Sequence, residues 1–224
     1  HCVDGLNKSR RKILAGGIQA FKTSAKSKKV FQFGGYVADK MAYHHGDASL
    51  NGTIINMAYR GPGGKLFPYF IGEGVLGTRR GDDAGSPRYI AVRLASPFVE
   101  AMLPRDDKYI LEYNFDDGER VEPVHYVPVL PMVLLEYLKI PAEGWNHLSF
   151  ARNAVFLAEI VLLMFSAKPG DDLPERLRDL ADTVAEDGDN ALALVEEMEE
   201  ELCERFGRSD ALPIAADNFA GDIR

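Results

Sequence analysis

Cysteine is nearly absent from this chain: there are two in 224 residues, Cys2 and Cys203, far apart and with no CxxC pair or nearby histidine at ligand spacing. A disulfide framework and a zinc finger are both excluded by that supply, and a reducing, intracellular compartment is expected. Long apolar runs are also missing. The longest, residues 154–165, is broken by Glu159 and is too short to cross a bilayer, and no charged, apolar and small-residue series resembles a signal peptide, so no membrane partner is expected. No internal repeat is evident. The chain opens on His1 rather than methionine and enters a basic helical pattern almost at once, which reads as a piece of a longer protein. What is present is an apolar content of 46%, enough to bury the core of one sizeable domain or of a domain with a smaller attachment.

The net charge of −8 argues against a polyanionic partner only until it is divided along the chain. Residues 1–93 carry 15 Lys and Arg against 6 Asp and Glu, a net +9, whereas the other 131 residues carry 11 against 28, a net −17. A polyanion is attracted to the first part and repelled by the second, so a nucleic acid belongs on residues 1–93.

Residues 9–21 place Ile13, Leu14, Ile18 and Phe21 at helical spacing behind the basic group Arg10, Arg11 and Lys12. A loop with Lys22, Lys26, Lys28 and Lys29 follows. Residues 30–43 give a second helix through Val30, Phe33, Val37 and Met41, with Gly34 and Gly35 marking close packing or a kink. Residues 48–59 give a third, turning Leu50, Ile54, Ile55 and Ala58 inward. Three helices followed by strands is the order of a winged-helix variant of the helix-turn-helix. Residues 60–87, rich in Gly and Pro, read as the wing, a hairpin-like loop region rather than a packed element; residues 89–94 read as a strand. Asp116-Asp117-Gly118 is a hairpin signal between residues 109–115 and 120–121. Residues 126–135, with Pro128 and Pro131, read as an irregular or edge strand. Residues 153–165 read as an apolar helix, and 175–185 and 190–206 as acidic amphipathic helices forming a solvated face or a protein-contact surface. The expected fold class is α/β, divided into a winged-helix core at 1–108, a β extension and linking helix at 109–165, and an acidic helical segment at 166–224.

The run from Asp82 to Ile90 carries the chemistry: a Gly-rich loop, then Ser86-Pro87-Arg88-Tyr89. A tyrosine beside an arginine can attack a phosphodiester if its proton is removed and the charge developing on phosphorus is neutralised. By itself the run reads as an ordinary strand-start tyrosine next to a solvated arginine. His44, His45 and Asp47 raise the thought of a metal site, but adjacent histidines point in different directions and no third ligand follows at a recognisable spacing, so no metal is assigned. Asp82 and Asp83 read as a solvated loop pair.

The surrounding motifs give the run its direction. Val3-Asp4-Gly5-Leu6 before Arg10-Arg11-Lys12-Ile13-Leu14, Tyr43-His44-His45-Gly46-Asp47, Thr53-Ile54-Ile55-Asn56-Met57-Ala58, Gly77-Thr78-Arg79, Ser86-Pro87-Arg88-Tyr89-Ile90, Arg120-Val121-Glu122-Pro123 and Tyr126 to Leu134 occur in order across residues 1–145. Together they closely resemble the breakage-reunion region of type IIA DNA topoisomerases. Lys29 to Asp39, Ala142 to Trp145 and Ala151-Arg152 look most like the single-chain enzymes of large nucleocytoplasmic DNA viruses, then the eukaryotic enzymes.

The resemblance implies roles residue by residue. Tyr89 is the nucleophile that becomes joined to a DNA 5′-phosphate, and Arg88 stabilises the transition state. His44 and His45 sit beside the scissile strand. Arg10, Arg11, Lys12, Lys29, Arg79 and Arg80 contact phosphates, which give affinity and register without base readout. The family's DNA-bending isoleucine falls on Pro141 here, with Ile140 beside it; Pro is also an apolar wedge between base steps. Also implied are double-stranded DNA as partner, a homodimer, ATP, and Mg2+ held by a Toprim domain, with DNA binding but little cleavage by this piece alone. The setting is the viral factory in the host cytoplasm or the nucleus for a virus, and the nucleus for a cell. The start of the family's tower domain resembles Phe219, Gly221 and Ile223. Two rival readings stand beside this one: a winged-helix module that binds DNA without cutting it, and a protein-interaction scaffold using the acidic helices.

Overall fold

Apolar side chains at helical spacing build the first layer. In the computed structural model, α1 (Lys8–Ala20), α2 (Val30–Lys40) and α3 (Asp47–Ala58) turn Ile13, Leu14, Val30, Phe33, Val37, Leu50, Ile54 and Met57 into a common core. The structure describes residues 3–22, 26–61, 64, 67–78, 80, 83–136, 138–142, 144–149, 151, 154, 157–158, 161–162 and 165. It forms two compact units, His1–Arg152 and Asn153–Arg224. In the second, the described residues between 154 and 165 are helical, as the sequence indicates, while the two acidic helices lie outside the described residues.

Small residues set how closely the helices approach. A Cβ on Gly16 would lie 2.9 Å from a Val37 methyl, and one on Gly34 would lie 2.5 Å from Asn51 Oδ1. Gly34 therefore marks close packing, as its place in a helix implied, whereas the same addition on Gly35 meets open space. The N-terminus of α1 is capped by Asn7, whose side-chain oxygen accepts from the Arg10 N–H at 2.9 Å.

A three-stranded antiparallel sheet covers this layer in the order β1 (Lys28–Lys29), β3 (Ala91–Leu94), β2 (Phe70–Glu73). The region expected to be an unpacked wing thus contains a packed strand. Phe70 is fully buried and its ring lies 5.4 Å from that of Phe33, so apolar burial overrides the Gly and Pro around it. Next come α4 (Ser96–Met102), a 3-10 turn at Arg105–Tyr109 and the hairpin of β4 (Tyr113–Asp116) and β5 (Glu119–Pro123). Its two-residue turn places Asp117 at φ 48° and Gly118 at φ 81°, the left-handed pair that a type I′ hairpin requires. Residues 126–135 do not form the expected strand: Tyr126, Met132 and Leu135 are buried from a loop and the short α5 (Met132–Leu135). A last hairpin, β6 (Leu138–Ala142) with β7 (Trp145–Ser149), pairs Ile140 with His147 and Pro141 with Asn146.

Two buried ion pairs tie α1 to the strand hairpin and the loop after it. Arg11 Nε donates to Asp4 Oδ2 at 2.8 Å, and that oxygen also accepts from the Tyr126 N–H at 3.0 Å. Lys12 Nζ lies 2.7 Å from Glu122 Oε2 and also donates to the Met41 carbonyl, while Asn114 Nδ2 donates to Glu122 Oε1 at 3.2 Å. Burial raises the proton affinity of Asp4, but the Arg11 guanidinium and the N–H groups of Tyr126 and Leu6 outweigh it and hold the carboxyl below its ordinary value.

Candidate DNA-cleavage site

The Ser86–Ile90 segment is a tight turn built around alternation: Ile90 goes into the core and Tyr89 is left 78% exposed. The Tyr89 N–H donates to the Ser86 carbonyl at 2.8 Å, closing the turn after Pro87. The start of α2 then holds it. The first N–H groups of a helix have no partner within it, and here two of them reach the tyrosine turn: Val30 N–H donates to the Ile90 carbonyl and Phe31 N–H to the Pro87 carbonyl, both at 3.1 Å. Lys29, just before the helix, donates its ammonium to the carbonyl of Tyr89 itself at 2.8 Å. Beyond the turn, Lys28 and Lys29 pair with Val92 and Ala91 in β1 and β3. On the other side, Gly85 N–H donates to the Val75 carbonyl at 2.8 Å.

This setting separates Tyr89 from Tyr69, Tyr126 and Tyr109. Tyr69 and Tyr126 are buried, and that burial raises both phenols well above their ordinary value of 10.0, so they stay neutral and out of solvent reach. Tyr109 is as exposed as Tyr89 but lies in the Arg105-Asp106-Asp107-Lys108 turn, where the charges are mixed. Tyr89 alone of these has cations on its own turn and on the strand that anchors it.

Arg88 is exposed, with its guanidinium 5.5 Å from the centre of the Phe31 ring. Sequence reading assigned Lys29 to phosphate and missed its bond to Tyr89; it also missed Phe31, which lies off the buried stripe of α2. The two histidines have different surroundings. His44 Nε2 lies 3.2 Å from Asp116 Oδ2 at the tip of the β4–β5 hairpin, whereas the exposed His45 ring meets the buried Tyr43 ring edge-on at 5.3 Å. The sequence marks Asp116 only as a turn residue.

The basic cluster on α1 divides. Arg10 is half exposed, but Arg11 and Lys12 are 6% and 4% exposed and are held by Asp4 and Glu122. These two are turned inward rather than presented to solvent as the phosphate assignment requires: three successive helix positions spread over most of the circumference, so a run of cations cannot all face outward. Arg80 is exposed, and its backbone N–H donates to Thr78 Oγ1 at 3.3 Å; Arg79 lies outside the described residues. Ile140 and Pro141 lie on β6. Among the described residues no group of three His, Cys, Asp or Glu could hold a metal ion, and no helix is long and apolar enough to cross a membrane.

Comparison with known proteins adds the lineage. Residues 1–147 match the family model that describes the DNA gyrase/topoisomerase IV A subunit. The chain is 50% identical over 176 residues to DNA topoisomerase 2 of African swine fever virus, covering 77% of this chain and 14% of that protein. It is 43% identical over 136 residues to DNA topoisomerase 2 of Crithidia fasciculata, covering 60% of this chain and 11% of that protein. The fold is similar, with a TM-score of 0.69 and 31% identity, to the DNA-binding, cleavage and re-ligation domain of Plasmodium falciparum topoisomerase II, over 75% of this chain and 23% of that one. The chain thus spans a small part of its relatives' length. On the match over residues 1–147, it belongs to the type IIA DNA topoisomerase family.

Proposed function

We propose that this chain is the DNA-binding and cleavage segment of an ATP-dependent type IIA topoisomerase and that Tyr89 is its nucleophile. The observation that carries the reading is an exposed phenol on a turn whose backbone is bound by Lys29 and whose preceding residue is Arg88. In this reading α1 to α3 with the β1–β3–β2 sheet are the winged-helix unit.

The phenolic oxygen of Tyr89 attacks a backbone phosphorus. A Tyr89–O–P bond forms and the P–O3′ bond breaks, leaving a free 3′-hydroxyl; the phenolic proton leaves the nucleophile and the departing oxygen gains one. One phosphoester replaces another, so the bond energy is retained and religation is the same step reversed. Arg88 neutralises the charge that builds on the phosphorane oxygens. His44, held by Asp116, and His45, propped on Tyr43, sit beside the scissile strand. Arg10, Lys29, Arg79 and Arg80 contact phosphates of the bent duplex, and the β6–β7 hairpin brings Ile140 or Pro141 to the bend.

Duplex DNA is the partner and the working unit is a homodimer, each protomer cutting one strand. Mg2+ and ATP belong to the Toprim and ATPase parts of the family's enzymes. The setting is a viral factory or a nucleus. The test mixes the chain with a Toprim-containing partner, Mg2+ and supercoiled DNA. Wild type yields a covalent protein–DNA adduct and Tyr89→Phe yields none; failure of both to yield one removes the catalytic assignment.

A further inference from the structure

We infer that Phe31 is a positioning residue for Arg88: its ring is the platform that holds the guanidinium beside Tyr89. The inference rests on the cleavage reading above and names a residue that reading does not use.

Three observations meet at this side chain. Phe31 is 49% exposed, at the first turn of α2, while the core-facing residues Val30 and Phe33 on either side of it are fully buried. It thus adds little to the interior and leaves its ring open to the neighbouring turn. Its backbone N–H donates to the Pro87 carbonyl at 3.1 Å, which fixes the peptide immediately before Arg88. Its ring lies 5.5 Å from the Arg88 guanidinium carbon, within the range where a cation is drawn to the negative face of a π system.

One residue therefore grips Arg88 twice, through the backbone before it and through the end of its side chain. The guanidinium has no carboxylate partner among the described residues, so without the ring the arginine would sweep freely over an exposed surface. A guanidinium is well suited to this: it keeps its in-plane N–H donors free for a phosphate while its flat face rests on the ring. The platform lowers the rotamer entropy lost when Arg88 meets the transition state, so its effect belongs in the cleavage rate rather than in DNA affinity.

The variants separate shape from π character. Phe31→Tyr keeps the aromatic face; Phe31→Leu keeps apolar bulk and the backbone N–H but loses the face. Proton NMR of the 224-residue chain reads the contact directly: ring-current displacement of the Arg88 side-chain protons in wild type and Phe31→Tyr, absent in Phe31→Leu. In the reconstituted cleavage mixture, Phe31→Leu slows adduct formation about two- to fivefold with DNA affinity unchanged, and Phe31→Tyr restores it. Wild-type Arg88 protons without ring-current displacement, or Phe31→Leu cleaving at the wild-type rate, would overturn the inference. An intact NMR contact with no adduct from wild type would instead bring down the phosphotyrosyl reading.

Discussion

The tyrosine turn and the seam between α1 and the β4–β5 hairpin are built from the same kinds of residue and use them in opposite ways. At the turn, Lys29 and Arg88 keep their charges in solvent, held by a carbonyl and an aromatic ring rather than by carboxylates. At the seam, Arg11 and Lys12 are almost wholly buried, each matched to one carboxylate. The difference lies in the partner: a cation bound to neutral groups remains available to a phosphate, and one bound to a buried carboxylate does not. Basic composition therefore does not by itself say which cations face solvent; the acidic residues nearby decide that.

The largest effects fall on chemistry at the turn. Tyr89→Phe abolishes the adduct, and Arg88→Ala lowers the cleavage rate on the order of 10²–10³. Because both side chains are exposed, thermal melting followed by circular dichroism moves by no more than about 2 °C. A large fall in melting temperature would mean that the turn is structural and the comparison misplaced.

The seam responds the other way. Glu122→Ala leaves the Lys12 charge buried and costs about 3–5 kcal/mol in denaturant unfolding. The double change Lys12→Met with Glu122→Leu recovers most of that loss, because no charge is then left buried. If the single change proves neutral, Lys12 is free to reach DNA after all.

Acid probes the other half of the seam. The folded carboxyl of Asp4 lies below its ordinary value of 3.8, so its contribution is fully present above that value and is lost as pH falls through the lowered one. Wild type loses stability over that window, and Asp4→Asn, already less stable at neutral pH, shows a flatter profile in denaturant titrations at stepped pH.

The smallest effect concerns the exposed phosphate contacts. Arg80→Ala reduces the slope of log affinity against log salt by about 0.9, the release of one counterion, with the fold unchanged. An unchanged slope in filter binding removes Arg80 from the DNA surface.

Much of this was legible in the sequence, and the gaps have physical causes. The three helices carry a full amphipathic period, and Asp117-Gly118 states its turn type outright. By contrast β1 has only two residues and exists because β3 pairs with it, a nonlocal cause that local propensity does not register. Residues 126–135 are apolar because single side chains reach the core from a loop, and apolar content alone does not distinguish that from a strand. Motif order singles out Tyr89 and Arg88, and the structure adds where they sit: both exposed on one turn. The fates of Arg11 and Lys12 were partly readable too, since consecutive helix positions diverge and cannot all face solvent. Phe31 and the role of Asp116 were not, because each acts through a contact made across elements.

The central claim is tested most directly by trapping the protein–DNA complex, digesting both components and sequencing the modified peptide by mass spectrometry. The account predicts a nucleotide esterified to the phenolic oxygen of Tyr89 through its 5′-phosphate. A nucleotide on any other residue, or attachment through a 3′-phosphate, contradicts it.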